Sequence, residues 1–426
     1  MNNWSALPSI SLSSGFEQVN LSKIISHSRN SITIKDDVSY TRVTIRQYGQ
    51  GVFTRDTLMG KDIGTKKQFI ANAGQLIVSG IDVRNGSVGI IPRELNDAVV
   101  TNDFWLFDIS NKAIPQYLTL LLSSKTFRGY WQSKSSDTTN RQRVNKSEFL
   151  KMEIPLPSID IQRKFIKQYN KDIEKSNHLE KKSTEMLEKI QAYVSDILGR
   201  KKIQTIEEKP FRMVKFSLLQ DWSATSPLLS TIESTKFEVT NIGAICDVNS
   251  GGTPSRNNKH YFMGTIPWVK TGEVQDSIIV NTEEKISEEA LKNSSAKLYP
   301  AESIIIAMYG HTRGKTAKLN ISATTNQACA VLHNINKSKV LTDYLWLYMQ
   351  TEYSRLRKLA VGSAQPNLNA GMIKNYPIIL PSIEMQAEIV KNYFSMKDKA
   401  KAFEDEAILL RKNAKIQFEN SIVETH

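Results

Sequence analysis

The chain has 426 residues, in which 56 Lys and Arg outnumber 43 Asp and Glu and give a formal net charge of +13. This length allows two or three domains, each able to bury its own core, and excludes a small fold that depends on disulfides. Hydrophobic residues make up 40 % and charged residues 23 %, as in ordinary globular proteins, which excludes a wholly disordered chain and a membrane protein. The excess of basic residues favours a polyanionic partner.

The sequence contains no run of about 18 apolar residues that would cross a membrane, and its first residues lack the layout of a signal peptide. We therefore expect a cytoplasmic protein. Cys246 and Cys329 are the only cysteines, too few for a disulfide framework or a four-cysteine zinc site. Both are expected to be buried thiols.

Residues 1–157 are predicted to form a first globular domain of mixed α/β (α+β) type. Short β-type runs such as 38–45 and 75–79 are separated by Gly, Asn and Pro, which is typical of strands joined by turns. The amphipathic stretch 115–131 lies between such runs and favours a helix.

A long helix is predicted next, over residues 158–200. Ser158 is a good N-cap, and Asp160 lies in the first turn, where its charge complements the helix dipole. Apolar residues then recur in a frame of alternating steps of three and four, the pattern of a coiled-coil seam: Ile159, Ile166, Tyr169, Ile173, Leu187, Ile190, Val194 and Ile197. The polar residues Glu180 and Ser183 lie in the same frame, so the seam is expected to be weaker in its middle. Residues 201–236 follow as a surface linker, in which 211–216 is a candidate strand.

The second half of the chain repeats the first. The segment Ile-Pro-Leu-Pro-Ser-Ile-Asp-Ile-Gln at 154–162 recurs as Ile-Ile-Leu-Pro-Ser-Ile-Glu-Met-Gln at 378–386, an offset of 224 positions, and the same offset pairs Asn145 with Asn369. An internal repeat determines the architecture and therefore has priority over any single motif.

Residues 237–381 are accordingly predicted to form a second domain of the same type, and residues 382–426 a second spacer helix. The seam of this helix contains small Ala residues at 400, 407 and 414, which allow a partner helix to approach closely. Because neither seam is stable in water alone, the two helices are expected to pack together. Antiparallel packing would relate the two halves by a pseudo-two-fold axis.

Basic residues are distributed over both domains. Residues 16–153 hold 19 Lys and Arg against 13 Asp and Glu, and residues 237–378 hold 15 against 11. Arg42 and Arg46 are four positions apart, so we expect both on one face of a strand. Arginine suits bidentate contact with guanine, and Asn or Gln with adenine. The candidate contacts to nucleic acid, each with a solvated surface charge as the alternative, are Arg42, Arg46, Lys66, Lys67, Arg84, Asn85, Arg141, Arg143, Arg256 and Lys270.

The segment Gly-His-Thr-Arg-Gly-Lys-Thr at 310–316 resembles a phosphate-binding P-loop, but it has three residues between its glycines where that motif needs four. A nucleotide-hydrolysing site is therefore disfavoured. The segment is either a plain turn or a basic loop in which His311, Arg313 and Lys315 face phosphates or base edges. We favour the basic loop, because glycine lets a ligand approach the backbone closely.

Signals of catalysis are absent from the sequence. It holds no Gly-rich cofactor fingerprint, no methyltransferase tetrapeptide and no pair of histidines at the spacing of metal ligands. Residues 283–285, Glu-Glu-Lys, are interpreted as a solvated approach to a helix.

Together, these motifs resemble the DNA-specificity (S) subunits of type I restriction-modification systems over nearly the whole chain. The second half looks like one common type of target-recognition domain, on the segments 250–255, 266–272, 325–328 and 365–369. The first half looks like another common type, on the segments 42–46, 66–68, 81–86 and 101–104. Through the resemblance, Thr253, Ser255 and Gln365 join the candidate DNA contacts.

The resemblance implies a noncatalytic subunit whose two domains each recognise one half of an asymmetric, bipartite site in double-stranded DNA. The antiparallel helices would fix the gap between the half-sites and dock two methylation subunits, and restriction/translocase subunits would complete the assembly. S-adenosylmethionine, ATP and Mg would belong to those partners, so no cofactor is expected in this chain.

Two other classes stay open. The chain could be the recognition half of a fused restriction-methylation enzyme, although the two repeats leave little chain for a catalytic domain. It could also be a coiled-coil scaffold without sequence-specific binding.

Overall fold

The structure is a computed structural model that describes residues 16–134, 144–200, 232–359 and 367–422. The chain divides into two compact units, the first made of Met1–Lys181 with Phe403–His426 and the second of Lys182–Ala402. Most of the predicted linker, including the candidate strand at 211–216, lies outside the described residues.

The first unit is built on three β-sheets. A four-stranded sheet has the order β2-β10-β7-β8, a five-stranded sheet the order β3-β6-β9-β4-β5, and β1 pairs with β11. Its strands are β1 (Gln18–Asn20), β2 (Ile25–His27), β3 (Ser31–Thr33), β4 (Ser39–Arg46), β5 (Gly51–Met59), β6 (Lys67–Ala71), β7 (Leu76–Ser79), β8 (Val88–Ile90), β9 (Ala98–Val100), β10 (Phe104–Ile109) and β11 (Glu153–Pro155). The short helices are α1 (Pro115–Leu122), α2 (Lys125–Lys134) and α3 (Lys146–Lys151).

The second unit repeats this plan with a different arrangement of outer strands. Its five-stranded sheet has the order β13-β20-β17-β18-β15, a three-stranded sheet the order β16-β14-β19, and β12 pairs with β21. Its strands are β12 (Glu238–Asn241), β13 (Asp247–Ser250), β14 (Ile266–Val269), β15 (Ser277–Ile279), β16 (Glu284–Ile286), β17 (Ile304–Ala307), β18 (Thr316–Leu319), β19 (Thr324–Thr325), β20 (Cys329–His333) and β21 (Pro377–Leu380). The short helices are α5 (Glu288–Lys292), α6 (Thr342–Thr351), α7 (Tyr353–Leu359) and α8 (Ala370–Lys374).

Each unit has strands that are buried on both faces and separate two hydrophobic clusters; β7 and β17 are examples. Along β7, Leu76 and Val78 belong to one cluster and Ile77 to the other. Along β17, Ile304 and Ile306 face one cluster while Ile305 and Ala307 face the second. A continuous apolar run is the expected signature of such a strand, because neither face meets water.

Two long helices follow the repeated Leu-Pro-Ser segments: α4 (Ile159–Ile197) and α9 (Ile383–Ile422). They pack antiparallel within each unit. In the first unit, Ser176 Oγ donates to the carbonyl of Ala407 over 2.8 Å. In the second, Ser183 Oγ donates to the carbonyl of Ala400 over 2.8 Å. The two contacts obey the same antiparallel register, which confirms the predicted fold class of two mixed α/β domains with paired spacer helices.

The seam differs from the predicted one at its middle. Leu187, which the apolar pattern placed in the seam, is 49 % exposed. Ser176 and Ser183 are buried, and Ser183 belongs to the predicted frame. A short hydroxyl side chain permits the backbone contact that a leucine would prevent. Glu180 is half-buried and pairs with Arg411 on α9, with an N···O distance of 2.7 Å.

A buried glutamine joins each long helix to its globular part in the same way. Gln162 accepts a hydrogen bond from the N–H of Ile114 and donates to the carbonyls of Lys112 and Pro157, over 2.8 to 3.0 Å. Gln386 accepts from the N–H of Leu341 and donates to the carbonyls of Lys339 and Pro381, over 2.8 to 3.0 Å. Both glutamines are fully buried. The repeat therefore extends to individual hydrogen bonds.

Three residues after the end of α4, Arg200 forms a buried ion pair with Glu352 in the second unit. Arg200 Nη1 lies 2.5 Å from Glu352 Oε1, and the Tyr376 hydroxyl donates to the other oxygen of the carboxylate. Glu352 is fully buried. Burial beside this carboxylate raises the pKa of Tyr376 well above its usual value.

Two predictions about single residues have different outcomes. Cys246 and Cys329 are buried free thiols, as predicted. The charged run at 283–285 was predicted to be a solvated approach to a helix. Glu283 and Lys285 are exposed and helix α5 begins at Glu288, but the run also enters strand β16, where Glu284 pairs opposite Trp268. Among the helices that the structure describes, none is both long and apolar enough to cross a bilayer.

We predict that Gln162→Leu lowers the free energy of unfolding by about 2–4 kcal/mol, because a buried N–H and two carbonyls lose their partner while the volume is conserved. Urea unfolding followed by circular dichroism measures the change. The matched control is Gln168→Leu on the exposed side of the same helix, where a cost within about 0.5 kcal/mol is expected. Equal costs for the two variants would contradict a structural role of Gln162.

Candidate nucleic-acid interface

Four loops of the second unit meet at one edge of its five-stranded sheet. Strands β13 and β17 end at this edge, and β20 and β18 begin there, as the antiparallel pairs Ser250 with Ala330 and Ala307 with Cys329 require. The loops at this edge cover residues 251–256, 270–276, 308–315 and 326–328. The loop 270–276 leads into β15, whose first residue, Ser277, pairs with Ala317 next to the start of β18. They contain Thr253, Ser255, Arg256, Lys270, His311, Arg313 and Lys315 among the predicted contacts.

Gly251 and Gly252 allow this edge to close. A Cβ on Gly251 would lie 2.2 Å from the backbone oxygen of Asn326, and a Cβ on Gly252 would lie 2.2 Å from the backbone nitrogen of Ala296. Their N–H groups donate to the carbonyls of Cys329 and Thr325. The two glycines therefore position Thr253, whose hydroxyl accepts a hydrogen bond from the backbone N–H of Gln327 over 3.3 Å.

Arg256 and Lys270 meet around one carboxylate. Arg256 Nη1 lies 2.6 Å and Lys270 Nζ 3.1 Å from the oxygens of Glu284, and Lys270 also lies 2.7 Å from Glu283. The guanidinium of Arg256 packs 4.1 Å above the ring of Phe262. These contacts lower the pKa of Glu284, chiefly through its hydrogen bond with Arg256, and raise the pKa of Lys270, chiefly through its hydrogen bond with Glu283. Both cations are thus held in defined positions, with their charge partly neutralised.

The glycine-bounded loop at 310–316 leads into strand β18 at Thr316. A P-loop requires a helix at this point, so the structure excludes that interpretation. Thr312 donates to the carbonyl of Thr271 over 2.9 Å, and Lys315 Nζ lies 2.6 Å from Gln275 Oε1. His311 is exposed, whereas Arg313 is half-buried. The loop therefore packs against the loop that contains Lys270.

In the first unit, Arg42 and Arg46 lie on one face of β4, as predicted. Arg42 pairs opposite Asp56, and both nitrogens of its guanidinium fork lie 2.7 Å from that carboxylate. Arg46 lies over the ring of Phe53, 4.1 Å from its centre. Asp56 raises the pKa of Arg42, and Arg42 lowers that of Asp56, in each case mainly through the hydrogen bond.

The remaining candidates of the first unit divide between the two ends of the β4–β5 ribbon. At one end, Lys66 Nζ contacts Asp36 over 2.6 Å and the carbonyl of Gly60 over 2.7 Å, and Lys67 beside it is exposed. At the other end, the carbonyl of Asn85 accepts the N–H of Tyr48 at the ribbon's turn, with Arg84 as its neighbour. These residues do not form one cluster. Arg141, Arg143 and Gln365 lie outside the described residues.

A further group of cations was missed by the sequence analysis: His27, Arg29 and Lys146, which meet at the edge of the four-stranded sheet of the first unit. The only signal near them was the repeat anchor at Asn145. Within the described ranges, no three His, Cys, Asp or Glu side chains are placed to hold a metal ion.

The fold and its edge loops define a class of protein in which two similar α/β domains, each with its own set of polar loops, are carried by paired helices. The chain belongs to one family of this class, because the family model described as type I restriction modification DNA specificity domain matches residues 14–189 and 234–415. Each match covers one globular part together with part of its long helix.

The chain is similar to specificity subunits of type I restriction enzymes. The chain is 25 % identical over 251 residues to the type I restriction enzyme EcoR124I/EcoR124II specificity subunit of Escherichia coli, covering 58 % of this chain and 55 % of that one. It is 31 % identical over 197 residues to the MjaIX specificity subunit of Methanocaldococcus jannaschii, covering 43 % and 44 %. The chain thus matches about half the length of these curated relatives.

A solved structure supports the fold. A chain from work on complex assembly and conformational transition of the type I R-M system superimposes with a TM-score of 0.64 over 98 % of both chains, at 13 % identity. At that identity the likeness concerns the fold alone.

We predict that Gly252→Ala destabilises the second unit by about 1–3 kcal/mol, because the new methyl group overlaps the backbone of Ala296 and the loop must move. Thermal unfolding measures the loss. Gly272→Ala is the control, since a Cβ at Gly272 meets nothing within 4 Å. A Gly252→Ala variant as stable as the Gly272→Ala variant would contradict the tight closure of this edge.

Proposed function

We propose that this protein is the DNA-specificity subunit of a type I restriction-modification complex, in which each unit recognises one half of a bipartite duplex site. The observation that carries the proposal is the family match to both copies of the repeat, combined with the difference between their edge loops. Val144 N–H donates to the carbonyl of Gly80 in one unit, and Leu368 N–H donates to that of Met308 in the other. The backbone frame is thus shared, while the side chains on it differ.

Dissimilar loops on similar frames favour two different half-sites. In the first unit the loop after the central strand carries Arg84 and Asn85, and in the second it carries His311, Arg313 and Lys315. Cations on both edges supply phosphate contacts that position the protein, and side chains such as Asn85 and Arg256 suit contacts with base edges.

The proposed subunit is noncatalytic and acts in the cytoplasm. Two methylation subunits would dock on the helices and domains, and restriction/translocase subunits would join them. Those partners would supply S-adenosylmethionine, ATP and Mg²⁺ chemistry, and this chain would supply the choice of site.

The helix pair suits the role of a spacer, since its register is set by seven-residue steps. The contacts Ser176 with Ala407 and Ser183 with Ala400 are separated by one heptad on each helix. Removing one heptad from both helices would therefore keep every remaining seam residue opposite its present partner.

We predict that deleting residues 177–183 together with 400–406 shortens the gap between the half-sites by about three base pairs and leaves both half-site sequences unchanged. Seven residues of helix span about 10 Å, and base pairs stack about 3.4 Å apart. Selection of binding sequences from a random duplex pool, followed by sequencing, measures the gap. An unchanged gap in a folded variant would refute the spacer role.

A second prediction concerns the independence of the two units. Exchanging residues 16–153 for the corresponding segment of another family member is expected to change one half-site only. The exchanged segment must preserve the contact with α9, where Tyr117 packs against Phe418 with ring centres 5.9 Å apart. The same selection measures both half-sites, and a change in both would contradict independent recognition.

The scaffold alternative predicts equal affinity for all DNA. In a gel-shift assay of the purified chain, retention of a defined bipartite duplex against excess random competitor supports sequence-specific recognition. Equal competition by random DNA would support the scaffold and overturn the proposed function.

A further inference from the structure

Three basic side chains meet at the edge of the four-stranded sheet in the first unit. His27 ends β2, Arg29 follows two residues later, and Lys146 begins α3. Lys146 Nζ lies 2.9 Å from His27 Nε2, and Arg29 Nε lies 3.0 Å from His27 Nδ1. The sequence separates Lys146 from His27 by 119 positions, so only the fold brings them together. We call these three residues the basic triad.

Within the part of the chain that the structure describes, the basic triad makes no direct contact with a carboxylate, although Asp103 lines the same cavity as Lys146. Among the described residues, neither Arg29 nor Lys146 forms an ion pair with a carboxylate. This distinguishes them from Arg42, Lys66 and Lys270, each of which contacts an acidic side chain. A group of cations without a carboxylate is electrostatically costly and has the composition of an anion site.

The triad also has more hydrogen-bond donors than acceptors. A neutral imidazole carries one N–H, so it can accept a hydrogen bond from only one of two flanking cations, yet both ring nitrogens of His27 face a cationic group. Burial, Lys146 and Arg29 all lower the pKa of His27, and burial and Arg29 lower that of Lys146. An anion bound beside the triad would supply the acceptor that this arrangement lacks.

The triad is accessible from solvent at Arg29, which is exposed. On its other side, Lys146 lines a cavity of about 210 Å³ that neither His27 nor Arg29 reaches and that Asp103 also lines. The Lys146 ammonium lies 5.7 Å from the centre of the Trp105 ring. We therefore expect an anion to approach from the Arg29 side rather than to fill this cavity.

We propose that Arg29, His27 and Lys146 bind one backbone phosphate of duplex DNA at the first unit. The proposal rests on the proposed function and deepens it, because it assigns a phosphate site to one half of the chain only. In the second unit, β13 takes the place of β2 beside the equivalent strand, and the residue two positions beyond its end is Gly252 rather than an arginine. The two units therefore differ in how they hold the DNA backbone.

A bound phosphate would change the charge of His27. The groups that face this ring are Arg29 from its own chain segment, Lys146 from α3 and the ring of Phe107 from β10, whose centre lies 5.6 Å away. Both charged neighbours favour the neutral ring, whereas a phosphate favours the imidazolium. Binding therefore takes up a proton, and affinity increases as the pH falls through the range in which the bound form titrates.

The test uses the full-length chain and a fluorescent duplex of about 30 base pairs of arbitrary sequence, because a phosphate contact does not depend on base sequence. Anisotropy titrations at several salt concentrations give the dependence of log affinity on log salt. Lys146→Gln and Arg29→Gln are each expected to reduce that slope by about 1 and to weaken binding about tenfold at 0.1 M salt. Lys112→Gln, past the opposite end of β10, is the matched control and is expected to keep the wild-type slope.

The pH dependence gives a second readout. Wild-type affinity is expected to rise as the pH falls, by up to tenfold per pH unit for one proton, and His27→Gln is expected to lose this increase. Arg29→Gln, at an exposed position, keeps the test valid if the variant at His27 or Lys146, which are partly buried, fails to fold.

The possible outcomes distinguish a failure of the phosphate-site proposal from a failure of the proposed function. Unchanged salt slopes in Arg29→Gln and Lys146→Gln would overturn the phosphate site even if the pool selection yields a bipartite sequence. Reduced slopes without any selected sequence would support the phosphate site and leave the chain a DNA-binding scaffold. Absence of duplex binding by the wild-type chain would overturn the phosphate site.

Discussion

The structure depends on one pair of buried amide side chains. Gln162 and Gln386 each connect the first turn of a long helix to two backbone segments of the adjoining globular part, with every hydrogen bond satisfied. Because a buried amide without partners is costly, the helix can leave its globular part in one orientation only. The Leu-Pro-Ser-x-x-x-Gln segment, which is the clearest sign of the repeat in the sequence, thus provides the same junction between helix and globular part in both halves.

The helix seam adds a second constraint: the backbones of the two long helices must lie close together. Ser176 and Ser183 donate to backbone carbonyls of the opposite helix, and such contacts require that only small side chains lie between the two backbones. Seams made of leucine and isoleucine tolerate slips of register, since one apolar side chain replaces another at little cost. A hydroxyl that must reach a carbonyl does not tolerate a slip. The main effect of pairing these serines with alanines on the opposite helix is therefore to fix the register of the two helices.

The sequence predicted the parts of this protein that repeat or are periodic. The 224-residue offset, the two long helices, the buried cysteines and the shared face of Arg42 and Arg46 are all present. It failed where distant segments meet: Leu187 was expected in the seam but is exposed, and the strand in which Glu284 pairs opposite Trp268 was not foreseen. His27 and Lys146 were missed for the same reason, since neither carries a local motif. The DNA contacts proposed from the sequence remain predictions, and Arg141, Arg143 and Gln365 lie outside the described residues.

The carboxylates that hold the arginines have a consequence for how the protein would move on DNA. Asp56 and Glu284 occupy the guanidinium groups of Arg42 and Arg256, so a phosphate that approaches either arginine also meets a negative charge and gains little. Residence on unmatched DNA would therefore be short, and the chain could sample many segments quickly. A matching base edge changes the balance, because an exocyclic amino group such as that of cytosine can donate to the carboxylate as the arginine is released. In the proposed function, the paired charges would thus weaken binding to nonspecific DNA and let the protein find its recognition site faster.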